Sequence, residues 1–182
     1  MSNIQKHIRR LRLFLQFMFV AVPVSVIFFW ASISTPYDVL TSTGVVEVSF
    51  DINALTQQPL SITSRVLAAI ANLLISGVAM YAIYILIRLF KNYEQGKIFS
   101  LENVSYYQKL GYSLFYWVLG NVIYGGVISV ILSFNNLPGE RYLELTFQGV
   151  DALTIMLGFL VLIISRVMKE GQIIADENRH TI

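Results

Sequence analysis

The sequence predicts an all-α membrane protein: four transmembrane helices in two tandem two-helix units, with a small extracytoplasmic β element. Three observations predict it. Four long runs carry no Lys, Arg, Asp or Glu in their interiors. Of the 13 Lys and Arg residues, 10 fall in three of the five segments that flank those runs, and an eleventh, Arg166, lies at the end of the fourth run beside one of them. Matching motifs recur in the two halves. The chain is 55% hydrophobic and 13% charged. A soluble domain is nearer a quarter charged, so lipid must solvate much of this surface.

A hydrocarbon core of about 30 Å needs roughly 20 helical residues. Span 1 is expected at about 13–33, span 2 at 66–87, span 3 at 110–134 and span 4 at 150–168. All four belong to one membrane domain, 1–182. Asp151 and Arg166 lie at the ends of span 4, within reach of the interface. Lys6, Arg9, Arg10 and Arg12 before span 1 imitate a secretory signal. An apolar run of 21 residues is longer than a signal's usual 7–15 or so, which predicts a retained helix. Pro23 should kink that helix. Trp30, near its end, fits an interfacial anchor.

Charge sets the orientation. The N-terminal tail, the loop 88–109 and the tail 169–182, with Arg166 beside it, hold 11 cations. The connections 34–65 and 135–149 hold only Arg65 and Arg141, with acids such as Asp38, Glu47, Glu140 and Glu144. The first group is expected in the cytoplasm of a bacterium and the second outside its inner membrane. Both termini are then cytoplasmic.

The outer connections are patterned. Val46-Glu47-Val48-Ser49-Phe50-Asp51-Ile52 and Tyr142-Leu143-Glu144-Leu145-Thr146-Phe147 alternate apolar and polar, the period of a strand. Pairing the two would satisfy both backbones. Asn136-Leu137-Pro138-Gly139 signals a turn. Glu47-Val48-Ser49-Phe50 also parallels Glu144-Leu145-Thr146-Phe147. On the cytoplasmic side, residues 96–103 (GKIFSLEN) and 171–178 (GQIIADEN) match at four of eight positions. Two copies in the same order predict an internal repeat about a pseudo-twofold axis along the membrane normal. Gly96 and Gly171 are read as helix terminators, and Ser100 as an N-cap opening an amphipathic stretch toward span 3.

The stretch Tyr93-Glu94-Gln95-Gly96-Lys97-Ile98-Phe99-Ser100-Leu101-Glu102-Asn103 and the ending 169–178 (KEGQIIADEN) resemble a bacterial membrane family catalogued as domain of unknown function 2975. The resemblance covers essentially the whole chain and implies four spans in these places. It implies no activity and no catalytic residues, because none are defined for the family. Similar proteins encoded beside a small helix-turn-helix regulator imply a regulatory partner. Relatives often end in an acidic Glu-Asn-Glu-Leu-Thr-Val type sequence, from which this chain departs at Arg179 and His180.

Candidate functional residues are few. Gly96, Glu102, Asn103, Gly171, Glu177 and Asn178 form a candidate docking surface for a cytosolic or membrane protein partner. Asn72 and Asn121 are the most polar residues well inside the spans, and such an amide needs a partner, usually on another helix. Small residues on spans 2 and 3 allow close packing, and Gly125 with Ser129 offers a seam for a homo-oligomer. Tyr81, Tyr84, Tyr112, Tyr116 and Trp117 suit an interfacial belt or a pocket for an amphiphile. There is no cysteine and there are two histidines, so no thiol chemistry, metal site or cofactor is expected. A net charge of +2 gives no argument for nucleic acid. The spans show no buried acid–base pair or activated nucleophile, so no enzyme is expected. The reading is a non-enzymatic interaction or regulatory module with membrane lipids around it. The alternative is a small oligomeric transporter, channel or lipid-binding protein.

Overall fold

The computed structural model describes residues 3–39, 55–56, 59–141 and 143–180, and of residues 175 and 178–180 the backbone alone. Four helices form: α1 (Asn3–Ser32), α2 (Ile62–Glu94), α3 (Leu101–Ser133) and α4 (Gly149–His180). At 1.5 Å per residue each is about 45–50 Å long, well beyond a 30 Å hydrocarbon core. All four are long and apolar enough to cross a membrane, α4 through its stretch Gly149–Ile174. Within their apolar windows only 11–22% of residues are buried. The protein cannot cover this surface itself, which is what a lipid solvent requires. The amphipathic stretch before span 3 and span 3 itself form one continuous helix.

Contacts gather the chain into two compact units. The first comprises Met1–Val20, Val78–Val118 and Gln148–Ile182, and the second Ala21–Gly77 and Leu119–Phe147.

The second unit has a core of Phe29, Trp30, Ile33, Leu55, Ala68, Ile128 and Leu132. Trp30 is 1% exposed and stands edge-on to Phe29 at 5.2 Å. This corrects its reading as an interfacial anchor: it is buried in the core with Leu55, Ala68, Ile128 and Leu132. Ser61 caps α2, its hydroxyl accepting from the Ser64 amide at 3.1 Å. One turn on, Arg65 donates to the carbonyls of Trp30 (3.2 Å) and Ile33 (2.6 Å). A cation thus closes the orphan carbonyls at the end of α1. Arg65→Gln is expected to cost about 1–2 kcal/mol, read as a lower thermal midpoint in detergent. An unchanged midpoint would deny the cap any stabilising role.

The predicted turn forms at Leu137–Glu140, with Glu140 N–H donating to Leu137 C=O at 3.0 Å and Gly139 at φ +99°. Pro then Gly at the central positions is the type II signature. The predicted β element is not supported. Residues 46–52 lie outside the described residues, and so does Tyr142. Residues 143–147 form no strand. They run beside α3 instead, the Glu144 amide donating to Ser129 Oγ at 2.9 Å. Leu143 and Leu145 lie where a Cβ on Gly126 would be, and Gly125 approaches the Glu144 backbone. Gly125 and Ser129 are therefore covered by the same chain, a correction to their reading as a seam between copies.

In the first unit α3, with the linker residue Phe99 just before it, runs antiparallel to α4 through four levels of contact. Phe99 lies against Gly171, Ser165 Oγ donates to Val104 C=O at 3.2 Å, Gly111 meets Gly158 and Leu162, and Phe115 packs edge-on to Phe159 at 5.0 Å. Gly171 lies inside α4 and does not end it. A single helical glycine costs only about 1 kcal/mol against alanine, and the Phe99 ring sits 3.4 Å from where its Cβ would be. The two matching motifs thus fold differently, one as a turn into a helix and one within a helix. At its start α4 is capped by Asp151, whose carboxylate accepts from the Gln148 amide at 2.8 Å.

Candidate functional site

The joint between α2 and α3 carries three of the eight predicted site residues, Gly96, Glu102 and Asn103, and it is built from two caps back to back. Gly96 takes φ +76°, a conformation that favours glycine. Lys97 N–H donates to Asn92 C=O at 3.0 Å and Gly96 N–H to Tyr93 C=O at 3.0 Å. This is a Schellman ending for α2, as the sequence predicts at Gly96. Four residues later Ser100 caps α3, its Oγ accepting from the Asn103 amide at 3.2 Å. The linker between is only Lys97, Ile98 and Phe99.

Asn103 holds this turn. It is 0% exposed. Its Nδ2 donates to the carbonyls of Lys97 (2.6 Å) and Ile98 (2.8 Å). Its Oδ1 accepts from Asn92 Nδ2 at 2.8 Å. All its hydrogen-bonding groups are spent inside the joint, a correction to its reading as a partner contact. Asn92 is the residue that sequence reasoning missed. It is buried, it lies in the last turn of α2, and its amide also donates to Glu102 Oε2 at 2.9 Å. An asparagine four residues before a helix-ending glycine was the available signal.

Glu102 is exposed, yet both carboxylate oxygens are engaged. Tyr106 Oη donates to Oε1 at 2.7 Å, and Asn92 holds Oε2. It lies in the first turn of α3, where the helix dipole favours an anion. It lies eight positions before Leu110, where the apolar run begins. The hydrogen bond from Tyr106 and then that from Asn92 hold its carboxyl below the usual carboxylate range, so it is ionised at neutral pH. Arg88 stands nearby, with Nε donating to Tyr84 Oη at 3.0 Å and the guanidinium over the Tyr84 ring. Tyr93 and Tyr107 join their hydroxyls at 2.7 Å across the same joint.

The remaining candidates lie apart from this network. Gly96 is exposed beside it. Gly171 is half-buried in α4, and Glu177 is exposed near the end of that helix. The Asn178 side chain lies outside the described residues. Asn72 accepts from Ser76 Oγ at 3.4 Å on its own helix, where a partner on another helix is expected. Asn121 is half-buried in α3. Tyr81, Tyr84, Tyr112 and Tyr116 are exposed, which suits a belt and not a pocket lining. Among the described residues no group of His, Cys, Asp and Glu could hold a metal ion.

A family model described as "Protein of unknown function (DUF2975)" matches residues 10–182. No curated protein and no solved structure matches.

Proposed function

We propose that this chain, which belongs to the DUF2975 family of proteins of unknown function, is a non-enzymatic module of the bacterial inner membrane that docks a protein partner on its cytoplasmic face. The orientation rests on charge. The first unit holds 11 of the 13 Lys and Arg residues, and the second only Arg65 and Arg141. By the positive-inside rule the helix ends that carry the first unit's cations, with both termini, face the cytoplasm. The likeness of 96–103 to 171–178 is retained as a repeat in sequence only, since the two segments differ in local structure.

The observation that carries the docking reading is Glu102. A lone surface glutamate normally sweeps through rotamers. This one is fixed on both oxygens while remaining exposed. It stands beside the exposed side chains of Ile98, Phe99 and Leu101. A charge already ordered costs little further entropy on binding, and the apolar neighbours supply area. Glu177 adds a second exposed acid on the helical tail of the same unit.

The test is a mild crosslinking pull-down from native membranes, read by mass spectrometry, with wild type and a Glu102→Gln/Glu177→Gln variant of equal thermal midpoint. The expected result is a specific protein recovered by wild type and lost in the variant. Recovery of only the protein itself and lipid, in both samples, would sink the reading.

A further inference from the structure

We infer that the first unit holds a second site, a headgroup cleft for a phosphodiester anion of the membrane between the start of α1 and the end of α2. A cavity of about 340 Å³ opens there, lined by Gln5, Arg12, Lys91, Glu94 and Gln95. Its size is at the low end for ligand pockets, about 300–1,000 Å³, and suits a headgroup rather than a whole lipid.

The lining sets the charge of the ligand. Arg12 Nε pairs with Glu94 Oε2 at 3.0 Å, and both side chains are about four-fifths buried. That pair is internally neutral. Gln5 reaches the end of α2, its Nε2 toward Glu94 C=O at 3.5 Å. Lys91 is exposed and has no ion-pair partner among the described residues. The lining is therefore one cation in excess, with amides of Gln5 and Gln95 beside it. A singly charged phosphodiester balances it. Lys6, Arg9 and Arg10 on the same stretch of α1 strengthen the positive field.

Depth argues for lipid as the source of the phosphate. Arg12 immediately precedes the apolar run of α1, and Lys91 lies four residues, about 6 Å, beyond the apolar run of α2. Both sit at headgroup level on one side. From Arg12 the exposed apolar residues Leu13, Phe17 and Val20 lead along α1, a path for acyl chains. Basic pockets between membrane helices at this depth suit anionic headgroups.

The experiment titrates dioctanoyl phosphatidylglycerol into the full chain in detergent and counts bound lipid by native mass spectrometry. Lys91→Gln leaves the Arg12–Glu94 pair intact and should fold. It is expected to weaken binding about fivefold, the effect of one interfacial cation. Lys109→Gln removes an exposed cation of the same unit outside the cleft and is expected to change binding less than about twofold. Competition by inorganic phosphate at concentrations comparable to the lipid's would overturn the lipid source and assign the cleft to a soluble phosphate. Equal losses in the two variants, or binding that never saturates, would overturn the cleft altogether. Neither result bears on partner docking at Glu102, which does not line this cavity.

Discussion

Asn103→Ala should lower the stability of the protein by about 2–4 kcal/mol and loosen the joint between α2 and α3. The side chain is fully buried and makes three hydrogen bonds through its amide. Truncation leaves two carbonyls and one Asn92 N–H without their partner. Each buried polar group so orphaned costs about 1–3 kcal/mol, and water reaching the exposed loop at Lys97 and Ile98 recovers part of that. Asn103→Asp should be at least as harmful despite its identical shape. It replaces the donating amide by an oxygen that faces the same two carbonyls. The effect reads out in two ways: a lower thermal midpoint in detergent, and faster proteolysis at residues 95–100. A midpoint within a degree of wild type in both variants would show that the two caps hold the turn without Asn103. Because Ser100 and Gly96 remain in place, α2 and α3 should keep their helical content while the angle between them relaxes.

The contrast between Gly96 and Gly171 explains what sequence reasoning could and could not resolve. Both glycines follow long helical stretches, and both open similar octets. Only Gly96 is followed by a capping residue that reopens a helix, Ser100. Gly171 has Ala175 at the matching position, so nothing competes with continuing the helix, and tertiary contact with Phe99 favours it. The apolar runs located all four helices, because excluding ions from about 20 residues is a strong signal. The helices run on past those spans on the basic side. The runs stop where lipid solvation stops, whereas a helix stops only where a cap or breaker stops it. The Schellman ending at Gly96 and the cap at Ser100 were legible because they are local. The Asn92–Asn103–Glu102 network and the Arg12–Glu94 pair were not. They depend on which faces meet across helices, and apolar spans without ions set no register. Trp30 failed for the same reason: its place at a span end was right, but the chain that buries it is distant in sequence. The strand pattern at 143–147 failed because alternation of residue types does not by itself bury a face: Leu143, Leu145 and Phe147 are all exposed, and the segment runs beside α3.

Gly111→Val should be as disruptive as any substitution in the first unit, at about 3 kcal/mol or more. At this crossing α3 and α4 approach closely enough that even a Cβ on Gly111 would lie 2.8 Å from Leu162 Cδ2 and 3.2 Å from the Gly158 carbonyl oxygen. Leu162 can rotate away, but a backbone carbonyl cannot. On the opposite side a Cβ on Gly158 would lie 3.0 Å from the Phe115 ring, which itself packs against Phe159. The two glycines are therefore one device, a close backbone approach that branched side chains would wedge apart. Overpacking costs about 1–3 kcal/mol where neighbours can yield and more where they cannot. Gly111→Ala should fall between wild type and Gly111→Val. Gly77 supplies the control. It is helical and exposed, and nothing lies within 4 Å of where its Cβ would be. Gly77→Ala should therefore be neutral or stabilising by up to about 1 kcal/mol. Unfolding of purified protein in mixed micelles, with increasing denaturing detergent and helicity as the signal, would rank the variants. If Gly111→Val unfolds with Gly77→Ala, α3 and α4 do not depend on this crossing, and the antiparallel contacts at Phe99–Gly171 and Val104–Ser165 must hold the pair by themselves.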